Sequence, residues 1–323
     1  MEMRQLGPRQ VSPMGLGCWA IGGPFYDLDN KPCGWGEVDD KVSIKAIHAG
    51  IDAGINFFDT AAVYGAGHSE QVLGQALEGK REKIVLATKF GVDFDSASKS
   101  ITGSFHDQPS IIKHCEASLK RLNTDYIDVY QLHLNDLPLN HVDEVLLSLE
   151  KLVETGKIRR YGWSTDHLDR AEAFSQGKHC AAIQFQNNVL DQNTRLTHFC
   201  FEHKLAAINR GPLAMGLLSG KYHRQAILDP KDIRNINPEW LKYFNNGKAS
   251  PALLSKLEGI QSILTSNGRT LIQGALAWIW GSSSNTLPIP GFRTVEQVVS
   301  NAEAIEHGAL STAQMREIKQ LLN

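Results

Sequence analysis

Apolar residues in this chain gather into short runs separated by longer amphipathic stretches. The runs Met14–Trp19, Ile55–Phe58, Ile84–Thr88, Ile127–Leu132, Arg160–Ser164, Ala181–Phe185, Leu205–Asn209 and Leu287–Pro290 have the length and composition of buried strands. Helical spacing fills several intervals between them. Asp40 precedes Val42, Ile44, Ile47 and Ile51, and Gly54 ends that pattern. Residues 69–79 put Val72, Leu73, Ala76 and Leu77 on one face. Pro109 opens a third helix through Ile111, Ile112, Cys115, Leu119 and Leu122, and a fourth spans 141–155 with Gly156 as its stop. Ser311-x-x-Gln314 reads as a capping box for a last helix over 311–322.

Strands alternating with helices predict a parallel sheet with right-handed crossovers. Repeated through the chain, the pattern predicts an α/β fold: a (β/α)8 TIM barrel with extra helices after strands seven and eight. A short hairpin over 4–14, turning at Gly7-Pro8, precedes it. No compositional shift marks a linker, so residues 1–323 are expected to form one domain. Three stretches break the rhythm. Residues 24–38, rich in Gly, Pro and aromatics, read as a mobile loop at the barrel mouth, and 91–108 as a long polar loop. Residues 224–250, with Pro230, Pro238 and Trp240, read as an insertion over the mouth that touches substrate or cofactor.

The chemistry sits at the downstream strand ends, which a closed parallel barrel brings to one mouth. Asp59, Lys89 and His133 end or follow three successive strand runs, and Tyr64 lies in the loop after the first. A phenol with an ammonium beside it and a carboxylate behind can deliver a proton to a carbonyl oxygen. Each residue alone has a plainer reading: a His at a strand end, or a buried Asp–Lys pair, is more often structural. The conjunction of four such types favours catalysis.

Asn56-Phe-Phe-Asp-Thr-Ala-Ala-Val-Tyr64, followed at these spacings by Lys89 and His133, resembles the aldo-keto reductases over nearly the whole chain. The resemblance implies Tyr64 as proton donor, Lys89 lowering its pKa, Asp59 holding Lys89, and His133 orienting the carbonyl. It implies NADP(H) as cofactor and an aldehyde or ketone as substrate, in a reversible reaction. It also implies a hairpin closing the barrel bottom, and Cys18 and Trp19 at the mouth beside the nicotinamide. A buried aromatic closing a barrel end is the alternative for Trp19. Gly162-Trp-Ser164-Thr165 and Gln184 are similar to the segments that hold the nicotinamide carboxamide, although Gln184 also reads as a barrel-interior amide. The aromatic usual in the family under the nicotinamide falls at Asn187.

Two further motifs resemble phosphate-side elements. Arg210-Gly211-Pro212-Leu213-Ala214 through Lys221 offers small residues and free backbone N–H groups to a pyrophosphate. Gly291-Phe-Arg293-Thr enters the last barrel helix, where N–H groups bind phosphate, and Arg293 matches the contact to the 2′-phosphate. Gln297 and Asn301 match residues on the adenine, while Thr294-x-x-Gln297 also reads as a capping box.

Other chemistries fit less well. Twelve histidines include no H-x-x-x-H pair, and His198 and His203 do not share a helix face, so no metal is expected. Gly15-x-Gly17 fails the dinucleotide fingerprint because residue 20 is Ala, and no G-x-S-x-G elbow occurs. A formal charge of −2 gives no reason to expect nucleic acid or an anionic membrane. Five cysteines, an odd number without C-x-x-C, suggest reduced thiols. No apolar leader or membrane span is read, and a cytoplasmic location is expected. The rival reading is a cofactor-binding accessory subunit with little catalysis, which the four mouth residues disfavour. Neither the particular substrate nor the oligomeric state is legible.

Overall fold

The computed structural model describes residues 1–223, 227–228, 232–236 and 241–322. A hairpin opens the chain, β1 (Arg4–Leu6) against β2 (Arg9–Val11), turning at Gly7 with φ +56°. Then follow β3 (Leu16–Gly17), α1 (Asp40–Asp52), β4 (Phe57–Asp59), α2 (His68–Ala76), β5 (Val85–Phe90) and a second hairpin, β6 (Val92–Asp95) and β7 (Ser100–Ser104). Next come α3 (Gln108–Arg121), β8 (Ile127–Leu132), α4 (Val142–Glu154), β9 (Ile158–Ser164), α5 (Leu168–Phe174), β10 (Cys180–Gln186), α6 (Thr194–Glu202) and β11 (Ala206–Arg210). After a short antiparallel pair, β12 (Phe244–Asn245) and β13 (Lys248–Ala249), the chain ends with α7 (Pro251–Leu264), α8 (Leu271–Ser282), β14 (Thr286–Pro288), α9 (Val295–His307) and α10 (Thr312–Leu322).

Eight strands pair in parallel in the order β3-β4-β5-β8-β9-β10-β11-β14. The seam between the first and last is closed by the Gly15 and Gly17 N–H groups, which donate to Pro288 O (3.0 Å) and Pro290 O (3.1 Å). The fold is thus a (β/α)8 barrel. Helix α7, after the seventh strand, and α10, after the eighth, pack on each other and on α8.

Side chains alternate between the two faces of each strand. The inward set at one end is apolar: Phe57, Val85, Ala87, Val129, Ala182, Ala206, Ile208, Leu287 and Ile289 pack together. Leu6 and Val11 of the first hairpin join this cluster and plug the barrel bottom. The outward set, including Phe58, Leu86, Tyr130, Trp163, Ile183 and Ala207, packs against the helices.

Helix starts follow local chemistry. Asp39 caps α1 by accepting from Lys41 N and Val42 N, one residue before the expected position. Asp107 caps α3 with Pro109 in the first turn. Thr270 and Gln273 form a full capping box on α8, and Ser311 and Gln314 form the predicted one on α10. Gly156, with φ +74°, follows α4 as expected.

Several expectations need correction. The 91–108 stretch is largely the β6–β7 hairpin, because its residues pair across a polar two-strand ribbon instead of remaining irregular. Strand one pairs over only Leu16–Gly17, since the glycines that let it approach the last strand leave little ladder. Residues 24–38 are fastened in place: Tyr26 bridges to Pro32 and Ser100, and Trp19 Nε1 donates to Cys33 O at 3.0 Å. Of the insertion over 224–250, Pro230, Pro238 and Trp240 lie outside the described residues. Its described part returns to the barrel through Arg234, taken up below.

Candidate active site

The inward strand positions step from apolar to polar toward the mouth. Phe57 gives way to Asp59, Ala87 to Lys89, Val129 to Gln131 and then His133, Ala182 to Gln184 and Gln186, and Ile208 to Arg210. The parallel register staggers these changes along the strand tilt, with Asp59 paired to Ala87, two residues before Lys89, Lys89 to Gln131, and Gln184 to Ser164 and to Ile208, two residues before Arg210. A two-residue rhythm thus builds a polar layer on top of an apolar one.

Lys89 is the centre of that layer. Its Nζ donates to Asp59 Oδ1 at 2.5 Å, to Thr60 O at 2.8 Å and to the Tyr64 hydroxyl at 3.5 Å. Lys89 and Asp59 are both buried. The other carboxylate oxygen, Asp59 Oδ2, accepts from Gln131 Nε2 and Gln184 Nε2, each at 2.8 Å. Gln184 also donates to Gln131 Oε1 at 3.0 Å. A buried carboxylate with three charge- or amide-donated bonds is satisfied on both oxygens. Gln131 was not singled out from the sequence. It lies on β8, two residues before His133, which directly follows that strand, and the period-two rhythm is the signal that marks it.

The Tyr64 ring lies between aromatic neighbours. Trp19 stacks on it at 6.0 Å between centroids, and His133 meets it edge-on at 5.9 Å. Trp35 of the mouth loop contacts Trp19 edge-on at 5.5 Å. Burial raises the Tyr64 pKa, and the Lys89 ammonium pulls it back only in part. The expected lowering by Lys89 therefore operates, but burial outweighs it, and the net direction is upward. Burial also acts to lower Lys89, yet Asp59 and Tyr64 together hold it above the usual lysine value. Lys89 is therefore the charged partner and Tyr64 the neutral one. His133 is driven well below its usual range by burial and by the cations Lys89 and Arg210, so it remains a neutral imidazole.

The remaining expected site residues fall in three groups. At the strand ends, Ser164 sits opposite Gln184, while Thr165 Oγ1 donates to Asn135 O at 2.9 Å and so braces the neighbouring loop. The Gln184 nitrogen is committed to Asp59 Oδ2 and Gln131 Oε1 inside the barrel. Cys18 is fully buried behind the layer, its thiol pKa pushed up by burial and then by Asp59, and its N–H donates to Asp59 O at 2.8 Å.

After β11, Arg210 pairs with Asp166 and donates to Gln186 Oε1 at 3.2 Å. The loop from Gly211 to Gly220 turns through left-handed residues: Gly211 (φ +60°), Ala214 (+49°), Met215 (+54°), Gly216 (+90°) and Gly220 (+75°). Two non-glycine residues in that region are strained by roughly 1 kcal/mol each. The expected row of free N–H groups is not there: Pro212 has none, and the Ala214 and Gly216 N–H groups donate within the turn to Gly211 O (3.0 Å) and Leu213 O (2.9 Å). Pro212 and Leu213 lie within this turn and Lys221 is exposed at its end. Arg234, also absent from the sequence reading, clamps the loop by donating to Met215 O (3.0 Å) and the Tyr222 hydroxyl (2.7 Å) while pairing with Asp232. Its guanidinium also lies 5.1 Å from the Trp35 ring centroid.

At α9, Gly291 bridges to Gly17 at the seam. Arg293 is exposed and donates to Trp35 O at 3.0 Å and to Glu37 O, holding the mouth loop. Thr294 Oγ1 accepts from Gln297 N, and Gln297 Oε1 accepts from Arg293 N at 2.7 Å, so the capping reading of Gln297 applies. Asn301 is buried, whereas Gln297 is exposed. The two therefore share helical spacing but not access.

The Aldo/keto reductase family model matches residues 13–323. "Aldo-keto reductase YhdN" of Bacillus subtilis (strain 168) is 31% identical over 318 residues, 97% of this chain and 90% of that protein. "NADH-specific methylglyoxal reductase" of Escherichia coli (strain K12) is 31% identical over 97% of this chain and 96% of its own length. An aldo-keto reductase from Klebsiella pneumoniae, solved in complex with NADPH, superposes with a TM-score of 0.73 at 27% identity, covering 99% of this chain and 95% of that one. No helix among the described residues is long and apolar enough to cross a membrane. A family match across the barrel, full-length relatives and a lysine-centred polar layer at the mouth agree, and the chain belongs to the aldo/keto reductase family.

Proposed function

We propose that the protein is an NADPH-dependent oxidoreductase that reduces an aldehyde or ketone to an alcohol, reversibly, with Tyr64 as the proton donor. The observation that carries this reading is the continuous line from the Asp59 carboxylate through Lys89 Nζ to the Tyr64 hydroxyl. Neutral Tyr64 gives its proton to the carbonyl oxygen. The phenolate left behind is stabilised by the ammonium beside it, and Asp59 keeps that ammonium charged and aimed. His133, held neutral, donates a ring N–H to the same oxygen without adding a competing charge. Trp19 stacked on Tyr64 shields one face of the phenol from water. When bound, NADPH supplies the hydride.

The residues present fit that cofactor. Its nicotinamide end would meet Trp19, Ser164, Thr165 and Gln184, while Cys18, fully buried, would stand behind them without touching it. The turn Gly211–Ala214, with Pro212 and Leu213, would lie against the pyrophosphate, the complementary charge coming from Arg210 and Lys221. Gly291, Arg293 and Gln297 would take the adenosine end, while the expected contact from Asn301 is not supported because that side chain is buried. Relatives point both ways on the phosphate, one being named NADH-specific and one solved with NADPH. Arg293, a permanently charged fork at the start of α9, favours NADPH here.

The test is a panel of aldehydes, ketones and sugars with NADPH consumption followed in wild type and Tyr64→Phe. The variant should keep its fold and cofactor affinity while turnover falls roughly 10²–10⁴-fold. Near-normal turnover of a good aldehyde by the variant would remove Tyr64 from its role.

A further inference from the structure

Outside the barrel mouth, two histidines far apart in sequence meet on the surface. His106 lies just ahead of α3, and His141 is the residue before α4. His106 Nε2 and His141 Nδ1 are 3.1 Å apart, and the ring centroids are 4.2 Å apart. Glu144 follows His141 by three residues, one helical turn along the same face. One ligand atom from each of the three residues lies within 4.8 Å of the others.

We infer that His106, His141 and Glu144 form a binding site for a divalent transition-metal ion of the zinc class. Two imidazole nitrogens about 2.0–2.1 Å from one ion, at 90–109° to each other, stand roughly 2.9–3.4 Å apart. The observed separation falls inside that window. A 2-His, 1-carboxylate donor set suits zinc, nickel or copper and not the oxygen-seeking magnesium or calcium. Ligation needs the facing nitrogens unprotonated, so each ring carries its proton on the far nitrogen. His141 Nε2 faces Asn140 Nδ2 at 3.5 Å, so this amide would have to turn its oxygen toward the ring to accept that proton. Both histidines adjoin helix starts, where the backbone dipole repels a cation. Asp107, Asp143 and Glu144, all acidic and beside the pair, offset that repulsion. A solvent molecule completes the coordination, because Glu144 is exposed.

The bound ion would clip the connection after β5 to the connection after β8. Both lie at the mouth end of the barrel, yet neither histidine belongs to the lysine-centred layer. The site is thus separable from the proposed chemistry. Sequence spacing gives no sign of it, since the two imidazoles are 35 residues apart.

The experiment is calorimetric titration of the untagged full chain with Zn2+ alone, together with His106→Ala, His141→Ala, Glu144→Gln and the exposed control His198→Ala. We expect about one equivalent bound by wild type and by His198→Ala, affinity lowered about tenfold or more by either histidine variant, and a smaller loss for Glu144→Gln. Co2+ in place of Zn2+ should show ligand-field bands without thiolate charge transfer. Absence of stoichiometric binding, unchanged affinity in His106→Ala and His141→Ala, or a thiolate band that points to cysteine ligands would each overturn the assignment. Circular dichroism of the variants separates a lost ligand from a lost fold.

Discussion

Gln131 shows how much of this site depends on a side chain that touches no substrate in the proposed mechanism. It is fully buried, and its amide nitrogen holds the Asp59 oxygen that Lys89 does not use. Removing it leaves Gln184 as that oxygen's amide donor. Gln131→Leu keeps the volume but removes one of the two amide bonds to that carboxylate oxygen, a loss of about 1.5–3 kcal/mol for a hydrogen bond to a charged group. Asp59 should then hold Lys89 less firmly, and turnover should fall about tenfold with cofactor affinity unchanged. The rate–pH profile is the decisive readout, because a merely structural role would leave its apparent pKa values in place. His133 offers a second check. The unfolded chain takes up its proton near pH ~6.5, whereas the folded imidazole resists until a much lower pH. Between those two pH values the unfolded state binds more protons, so stability falls as pH falls, by up to about 1.4 kcal/mol per pH unit. Urea unfolding of wild type and His133→Asn between pH 8 and 5, roughly the range bracketing that titration, should show a steeper fall in wild type, because His114, also held below its usual range by burial, contributes equally to both. Parallel curves would mean that the folded imidazole charges freely. The four mouth residues were legible because each ends or follows an apolar run. The fate of each amide was not, because a sequence shows where Gln184 stands but not which carboxylate it finds.

At the scale of elements, the mouth loop over 24–38 and the start of α9 are coupled. Arg293 was expected to meet a 2′-phosphate, and in this structure its guanidinium is spent on the Trp35 and Glu37 carbonyls. These are neutral acceptors, and a phosphate dianion is the stronger partner for the same fork. NADPH binding would thus release the loop from Arg293 while Arg234, beneath Trp35, keeps its hold. Arg293→Ala removes a charge-assisted contact worth about 1.5–3 kcal/mol, roughly ten- to a hundredfold in affinity. The usual extra Lys or Ser of the family is replaced by Gly291 and Phe292, which favours the low end. Titrating intrinsic Trp fluorescence with NADPH and NADH should show weakening toward NADPH alone. Equal weakening toward both would assign Arg293 to the loop and not to the phosphate. Strands and capped helices were readable here because periodicity and caps are local. The loop tethers were not: Arg293 reaches carbonyls 256 and 258 residues away, and Arg234 sits in a stretch with no period at all.

The whole barrel is held shut at one seam, where residues 15–17 from the start of the chain meet residues 288–291 from its end. That seam has few bonds, the Gly15 and Gly17 N–H groups on Pro288 O and Pro290 O, reinforced by Trp280 Nε1 donating to Pro13 O at 2.8 Å. Close approach is what the glycines provide. A Cβ on Gly17 would lie 2.8 Å from Ile289 O, a backbone atom that cannot swing aside. Gly17 also pairs with Asp59, so any shift of the seam passes directly to the residue that positions Lys89. Gly17→Ala should therefore destabilise the protein by about 1–3 kcal/mol, the usual cost of overpacking, and lower turnover with it. Gly259→Ala is the contrast. That glycine lies inside α7, nothing stands within 4 Å of its added Cβ, and the helix should gain about 0.5–1 kcal/mol. Urea midpoints for the two variants should move in opposite directions from wild type. If Gly17→Ala were neutral in both stability and turnover, the first and last strands would have to part easily, and closure at this seam would not be what sets the geometry of the mouth.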